Sequence, residues 1–189
     1  MLQRLIAHWV YGTACCAVLL LVLSPALLAG AGPIFIAAFL HLPAYMLHQV
    51  EEHDRDRFRL FFNATLGHGL EVLSPAAVFV TNVPVVWGLL AVALLGTRGD
   101  AGWALLSAYL VLVNGAVHLA HAIAFRSYNP GLVTALVVFF PLGATTAAMV
   151  QRAGAGSLSW HLAGLGTAVA VHAAIIVHVR RRAAALRRA

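Results

Sequence analysis

Lysine is absent from this chain of 189 residues, and all 12 of its Lys/Arg positions are arginine. Schiff-base formation and other chemistry that depends on a lysine amine are thereby excluded. Acid is scarce too, with 6 Asp and Glu together, and charged residues make up 10% of the chain where a soluble domain carries about a quarter. So little charge cannot clothe a globular surface, which points to an integral membrane protein. The two cysteines, Cys15 and Cys16, are adjacent and lie inside an apolar run, so no disulfide framework exists and packing is their expected role. There is no Gly-x-Ser-x-Gly elbow, no phosphate-binding loop and no dinucleotide fingerprint, which leaves serine-hydrolase, nucleotide and flavin chemistry without support. The period-two alternation of a membrane barrel is missing as well.

What is present is 62% hydrophobic residues in long continuous runs. In hydrocarbon such runs must satisfy their backbone internally, and without barrel alternation the fold class is all-α. Six transmembrane helices are expected, at about residues 10–29, 34–50, 75–95, 103–125, 132–150 and 158–179, each close to the length a core of roughly 30 Å requires. The first run is longer than the apolar part of a signal peptide and is read as retained. Residues 54–73 mix Arg, Phe and Leu in the manner of a short interfacial helix. No repeat or second domain is evident, so residues 1–189 are expected to form one helical domain.

Arginine placement tests the six-span count. Arg4, Arg55, Arg57, Arg59, Arg126, Arg180, Arg181, Arg182, Arg187 and Arg188 fall on one side, and only Arg98 and Arg152 on the other. By the positive-inside rule both termini face the cytoplasm, in a cell inner (plasma) membrane. The basic tail after the last span is read as facing anionic lipid, with no nucleic-acid partner expected.

Against this apolar background the segment HLPAYMLHQVEEHDRDRFR, residues 41–59, stands out. At about 100° per residue His41, Tyr45, His48 and Glu52 share a helical stripe, with Glu51 one shoulder away. Ionisable groups inside a membrane are functional hypotheses by default. With six spans, the second, fourth and sixth end on the same side, so His48 and Glu52, then His118 and His121, then His172 reach comparable depth. Imidazole and carboxylate together suit zinc or iron, which makes His48, Glu52, His118, His121 and His172 the expected metal ligands. Glu51 is a fifth-ligand alternative or a general base acting on water activated by the ion, and Asn114 a second amide partner or substrate-orienting group.

The other histidines read differently. His41 and His161 are expected to make polar contacts between helices. His8, His53 and His178 look interfacial; His53 lies about 140° around a regular helix from His48 and so should not share an ion with it. His68 and Glu71 could add a ligand pair from the interfacial helix.

His48-Gln49-Val50-Glu51-Glu52, Asn114 four residues before His118, His121, and Tyr128-Asn129-Pro130-Gly131 resemble the HXXEE family of bacterial integral membrane proteins. The resemblance runs from about residue 41 to 131 and implies a multi-span fold and a membrane enzyme, without naming a reaction. Tyr128 thereby joins Glu51 and Asn114 as a candidate catalytic residue. His172 lies outside these motifs.

The function expected is a metal-dependent membrane enzyme, hydrolytic in action, working on a lipid or membrane-dissolved substrate at a cytoplasmic-side His/Glu site. A non-haem di-iron oxidoreductase is the alternative within enzymes. A His/Glu-based carrier is the alternative outside them, although it should show repeated halves and a midplane site. Oligomeric state is left open.

Overall fold

Glycine, proline and charge decide where each helix stops. Helix α1 (Leu2–Leu27) ends in a turn through Gly30, whose φ of 75° is left-handed, and Pro33 opens α2 (Pro33–His53) at the position where its missing N–H costs nothing. At the charged end of α2 the residues Arg55 and Asp56 adopt φ of 53° and 62°, and the chain doubles back as α3 (Arg57–Thr65). Ser74 caps α4 (Pro75–Gly96), accepting from the Ala77 N–H at 3.2 Å. Helix α5 (Ala104–Phe125) closes on a left-handed Arg126, α6 (Leu132–Arg152) begins after Gly131, and α7 (Leu158–Leu186) is capped by Ser157.

The computed structural model describes residues 1–188, and among these the fold is all-helical. Six helices are long and apolar enough to cross a membrane: α1, α2 continued by α3, α4, α5, α6 and α7. The expected class and span count are therefore present, with shifted ends. Helix α1 begins at Leu2 rather than near residue 10, and α7 runs on to Leu186, because no glycine or proline interrupts either flank. The interfacial helix covers only Arg57–Thr65 of the expected 54–73. Gly67, left-handed His68 and Gly69 break it, and Asn63 straps the following loop down through paired bonds to the Leu73 backbone at 2.9 Å each.

Burial is concentrated where the polar motif is. The α2 span has 56% of its apolar window buried, whereas α1 and α7 have 11% each and turn bare leucine and valine outward. Such surfaces are stable against lipid and not against water. Helix α7 docks on α5 at Gly164, where an added Cβ would sit 2.7 Å from the Leu105 carbonyl oxygen, so close backbone approach holds this pair together.

Two helices carry π-helical segments, Thr81–Trp87 in α4 and Ala135–Phe139 in α6. Pro84 lies inside the first and Pro141 just past the second, and each removes an N–H from the regular ladder. In α4 the local widening frees the Asn82 backbone carbonyl, which accepts from the Gln49 side chain of α2 at 3.2 Å; the Trp87 indole in turn donates to Gln49 Oε1 at 2.8 Å. The polar side chain between His48 and Glu51 is thus fully satisfied in the interior.

Candidate metal centre

Helical spacing puts His48 and Glu52 one turn apart on α2, with His48 Nε2 3.6 Å from Glu52 Oε2. From α5 His118 approaches the other carboxylate oxygen, its Nε2 3.5 Å from Oε1. All three side chains are buried, and one donor atom from each lies within 4.8 Å of the other two. This buried His/Glu/His group could hold a metal ion.

The outer edge of each ring decides what its inner edge presents. His48 Nδ1 lies 2.8 Å from the Thr134 hydroxyl on α6, and that hydroxyl gives its own proton to Glu51 Oε2. Thr134 must then accept from His48 Nδ1–H, which leaves Nε2 of the neutral ring as a bare lone pair. His48 Nε2 has no hydrogen-bond partner among the described residues. The same logic fixes His118. Asn129 donates its amide to the His118 carbonyl at 3.0 Å, so its Oδ1 receives His118 Nδ1–H at 2.6 Å and the His118 Nε2 lone pair faces Glu52. Two lone pairs and a carboxylate converging in the interior repel one another unless a proton or a metal cation lies among them. The donor set and the outer hydrogen bonds are those of metal-binding imidazole.

Glu51 points the other way. It accepts from the Val133 N–H at 3.1 Å, the Thr134 N–H at 2.7 Å, the Thr134 hydroxyl and the Tyr128 hydroxyl at 2.9 Å. A carboxylate of α2 thus caps the N-terminus of α6, where free N–H groups and the helix dipole favour negative charge. Burial, and then the neighbouring Glu51 carboxylate, push the Tyr128 phenol above its ordinary pKa, which keeps it a donor. Between Tyr128 and Thr134, Gly131 has φ 98°, and a Cβ there would lie 2.7 Å from His118 Cε1 and 2.8 Å from His48 Cε1. The loop from α5 to α6 is therefore pressed against both rings.

A family model described as "Protein of unknown function with HXXEE motif" matches residues 39–146. The chain belongs to the HXXEE family. No curated protein and no solved structure matches it. The HXXEE motif is His48 to Glu52, and the matched segment leaves out α1 and α7, the two helices most exposed to the surroundings.

Of the five ligands expected from sequence, the HXXEE centre brings together His48, Glu52 and His118. His121 stands apart, stacked on Phe125 at 4.3 Å and against Phe61 at 5.2 Å, with neither ring nitrogen partnered. His172 turns Nδ1 back onto the Ala168 carbonyl of its own helix at 2.8 Å. Both line a cavity of about 180 Å³ that opens from Glu52 and His118 between α3, α4, α5 and α7. Asn114 lines it too, donating to the Tyr45 hydroxyl at 3.2 Å and leaving its Oδ1 without a partner. His41 bonds Thr146 of α6 at 3.0 Å and His161 bonds Tyr109 at 2.8 Å, the contacts between helices expected of them. His68 is exposed, and Glu71 pairs with Arg59 at 2.8 Å, so neither adds to the group.

His53 is where the structure departs most from the sequence reading. Far from being interfacial, it is 4% exposed, lies under Trp9 and Phe58, and brings Nε2 to 2.9 Å from Glu52 Oε2, within ion-pair distance although not aligned for a hydrogen bond. Its angle around α2 does keep it off the His48 face. It meets Glu52 from the side because α2 stops there and the reversal at Arg55 and Asp56 folds α3 over it. The charged Asp54-Arg55-Asp56 run before Phe58 was the available signal.

Proposed function

We propose that this HXXEE protein is a metal-dependent membrane hydrolase whose substrate is a lipid or another membrane-dissolved molecule. The observation that carries the proposal is the pair of imidazoles whose Nε2 lone pairs are fixed, by Thr134 and Asn129, toward one buried carboxylate. His48, Glu52 and His118 would hold the ion and leave a coordination position open. An ion bound there supplies Lewis acidity toward a carbonyl group and toward water. The chain's own contributions are distinct. Phe58, Phe61 and Phe62 wall the cavity and limit its water, Asn114 offers an acceptor for orienting substrate, and His121 has both ring nitrogens free to take or give a proton. Glu51, engaged by four donors, serves as a clamp between α2 and α6 rather than as the base.

Two histidines and one carboxylate are also the ligand set of mononuclear non-haem iron oxygenases, which favours an iron oxidoreductase as the second reading. For a two-iron centre the group is short of carboxylate, since Glu51 is committed elsewhere. The arginine count supports an inner-membrane protein with both termini cytoplasmic and the centre toward that side. Arg182 near the end of α7 bonds the Glu71 carbonyl at 2.8 Å, joining the tail to the loop beneath α3 at this same end.

Elemental analysis of the protein purified in detergent tests the proposal. About one zinc or iron per chain is expected, falling to background in His118→Ala. Protein that holds neither metal, and takes up neither on dialysis, overturns it. A subtler prediction concerns Thr134. Thr134→Ala frees the outer edge of His48 and should weaken metal affinity about 10- to 100-fold, whereas Thr134→Ser, which keeps the hydroxyl, should restore it. Competition with a chromogenic chelator measures both.

A further inference from the structure

Helices α4 and α7 stand on either side of a groove of about 990 Å³ that they do not close. It follows α4 from Ser74 to Val92 and α7 from Thr167 to His178, about 27 Å and 17 Å at a rise of about 1.5 Å per residue. Small side chains such as Ala77, Gly88, Ala170 and Ala174 make its walls low, and its lining is overwhelmingly apolar. In a membrane such a cleft is filled by hydrocarbon, because an empty one forfeits its contacts.

The groove abuts the cavity at the candidate metal centre, and the two share part of their walls. Leu73 and Thr81 of the α4 side and Val171 and Ile175 of α7 belong to the walls of both. A single flexible chain could thread this shared wall from the lipid side to Glu52 and His118; a helix could not. The polar atoms awaiting its head are particular ones. Asn114 Oδ1 is a buried acceptor with no donor, and the His121 nitrogens are likewise unpartnered. No arginine lines the cavity, and the chain has no lysine, so a phosphate head would find no cationic side chain there.

Resting on the hydrolase reading for its chemistry, we infer that the groove between α4 and α7 is the lateral port for a long-chain amphiphile. Its apolar tail lies in the groove, and its uncharged head carries an O–H or N–H donor to Asn114, as in a fatty alcohol, a fatty amide or a monoacylglycerol. The tail lies along the groove, and the head stops beneath the phenylalanines of α3.

Photocrosslinking of the full chain in phosphatidylcholine vesicles tests this. Two probes are compared, a long-chain alcohol with a diazirine in its tail and a phosphatidylcholine bearing the same tail. The alcohol should label the peptides containing Val85, Val171 and Ile175 in preference to α1. Ala174→Trp, which fills the groove from an exposed position, should lower that labelling about tenfold, and Asn114→Leu should lower it as well. Val22→Trp, at an exposed position on α1, should not. The phosphatidylcholine probe should label α1 and the groove alike and, having no donor for Asn114, be indifferent to Asn114→Leu. Uniform labelling by the alcohol, or labelling unchanged in Ala174→Trp whose melting midpoint matches wild type, overturns the inference. So does equal loss of labelling by both probes in Asn114→Leu, which marks ordinary lipid. Metal content is read in the same samples: selective labelling without metal removes the hydrolase and keeps the port, and metal without selective labelling does the reverse.

Discussion

Gly131→Ala is expected to abolish the metal binding proposed for the centre and to destabilise the protein. Two effects combine there. A left-handed backbone costs a residue with a Cβ about 1–2 kcal/mol, and the new carbon would lie 2.7 Å and 2.8 Å from the carbons of the two ligand rings. Neither ring can retreat, because His48 is tied to Thr134 and His118 to Asn129 on their outer edges. Gly30→Ala provides the comparison. Gly30 is also left-handed, with φ 75°, but nothing lies within 4 Å of the added carbon. It should lower the melting midpoint by a few degrees, at about 2–4 °C per kcal/mol for a chain of this length, and leave metal content intact. The two variants differ only in the clash, so elemental analysis with a thermal melt in detergent separates strain from damage to the centre. Retention of metal in Gly131→Ala would mean that the rings are not held as described.

The second large effect is expected from the neighbouring glutamates, which should fail in different ways. Glu52→Ala removes the only carboxylate between the two lone pairs, and metal affinity should fall beyond the roughly 10- to 100-fold range typical of outer partners. The helices still meet through apolar contacts, so the fold should persist. Glu51→Ala removes no ligand. It uncaps Val133 and Thr134 at the start of α6 and frees Tyr128; these groups are exposed or half-buried, so the loss is that of a helix cap, about 0.5–2 kcal/mol. Because that cap also fixes the loop pressed on both rings, its melting midpoint should drop further than that of Glu52→Ala, while affinity weakens only through the loosened Thr134. Chelator competition and thermal melts on both variants read this out. If the two carboxylates proved interchangeable in both measurements, the division of labour between them would be wrong.

Much of this was legible before any coordinates. Long apolar runs and the arginine imbalance led to six helices, and turn residues such as Gly30 and Pro33 marked their limits. The i, i+4 spacing of His48 and Glu52 needs only a helix, and the depth of His118 follows from counting turns back from the end of α5. What depth does not supply is azimuth. His172 lies at the expected level but spends Nδ1 on its own helix, and His121 faces two phenylalanines. Adjacent residues on a helix diverge by about 100°, so one of the paired glutamates had to face away from the other's partners. Nothing local says what receives it. The receiver is Thr134, more than eighty positions along the chain, and long-range pairing of that kind leaves no periodic trace. His53 was hidden for a different reason, since a regular helix was assumed to continue past the point where the chain turns back.

The clamp on α6 has a consequence for biogenesis. A chain that has delivered α2 and α5 to the bilayer but stops short of Val133 leaves Glu51 without three of its four donors, Tyr128 alone remaining, and leaves His48 free to spin. The centre can close only after the fifth crossing is inserted, so any ion it takes would be loaded late in synthesis.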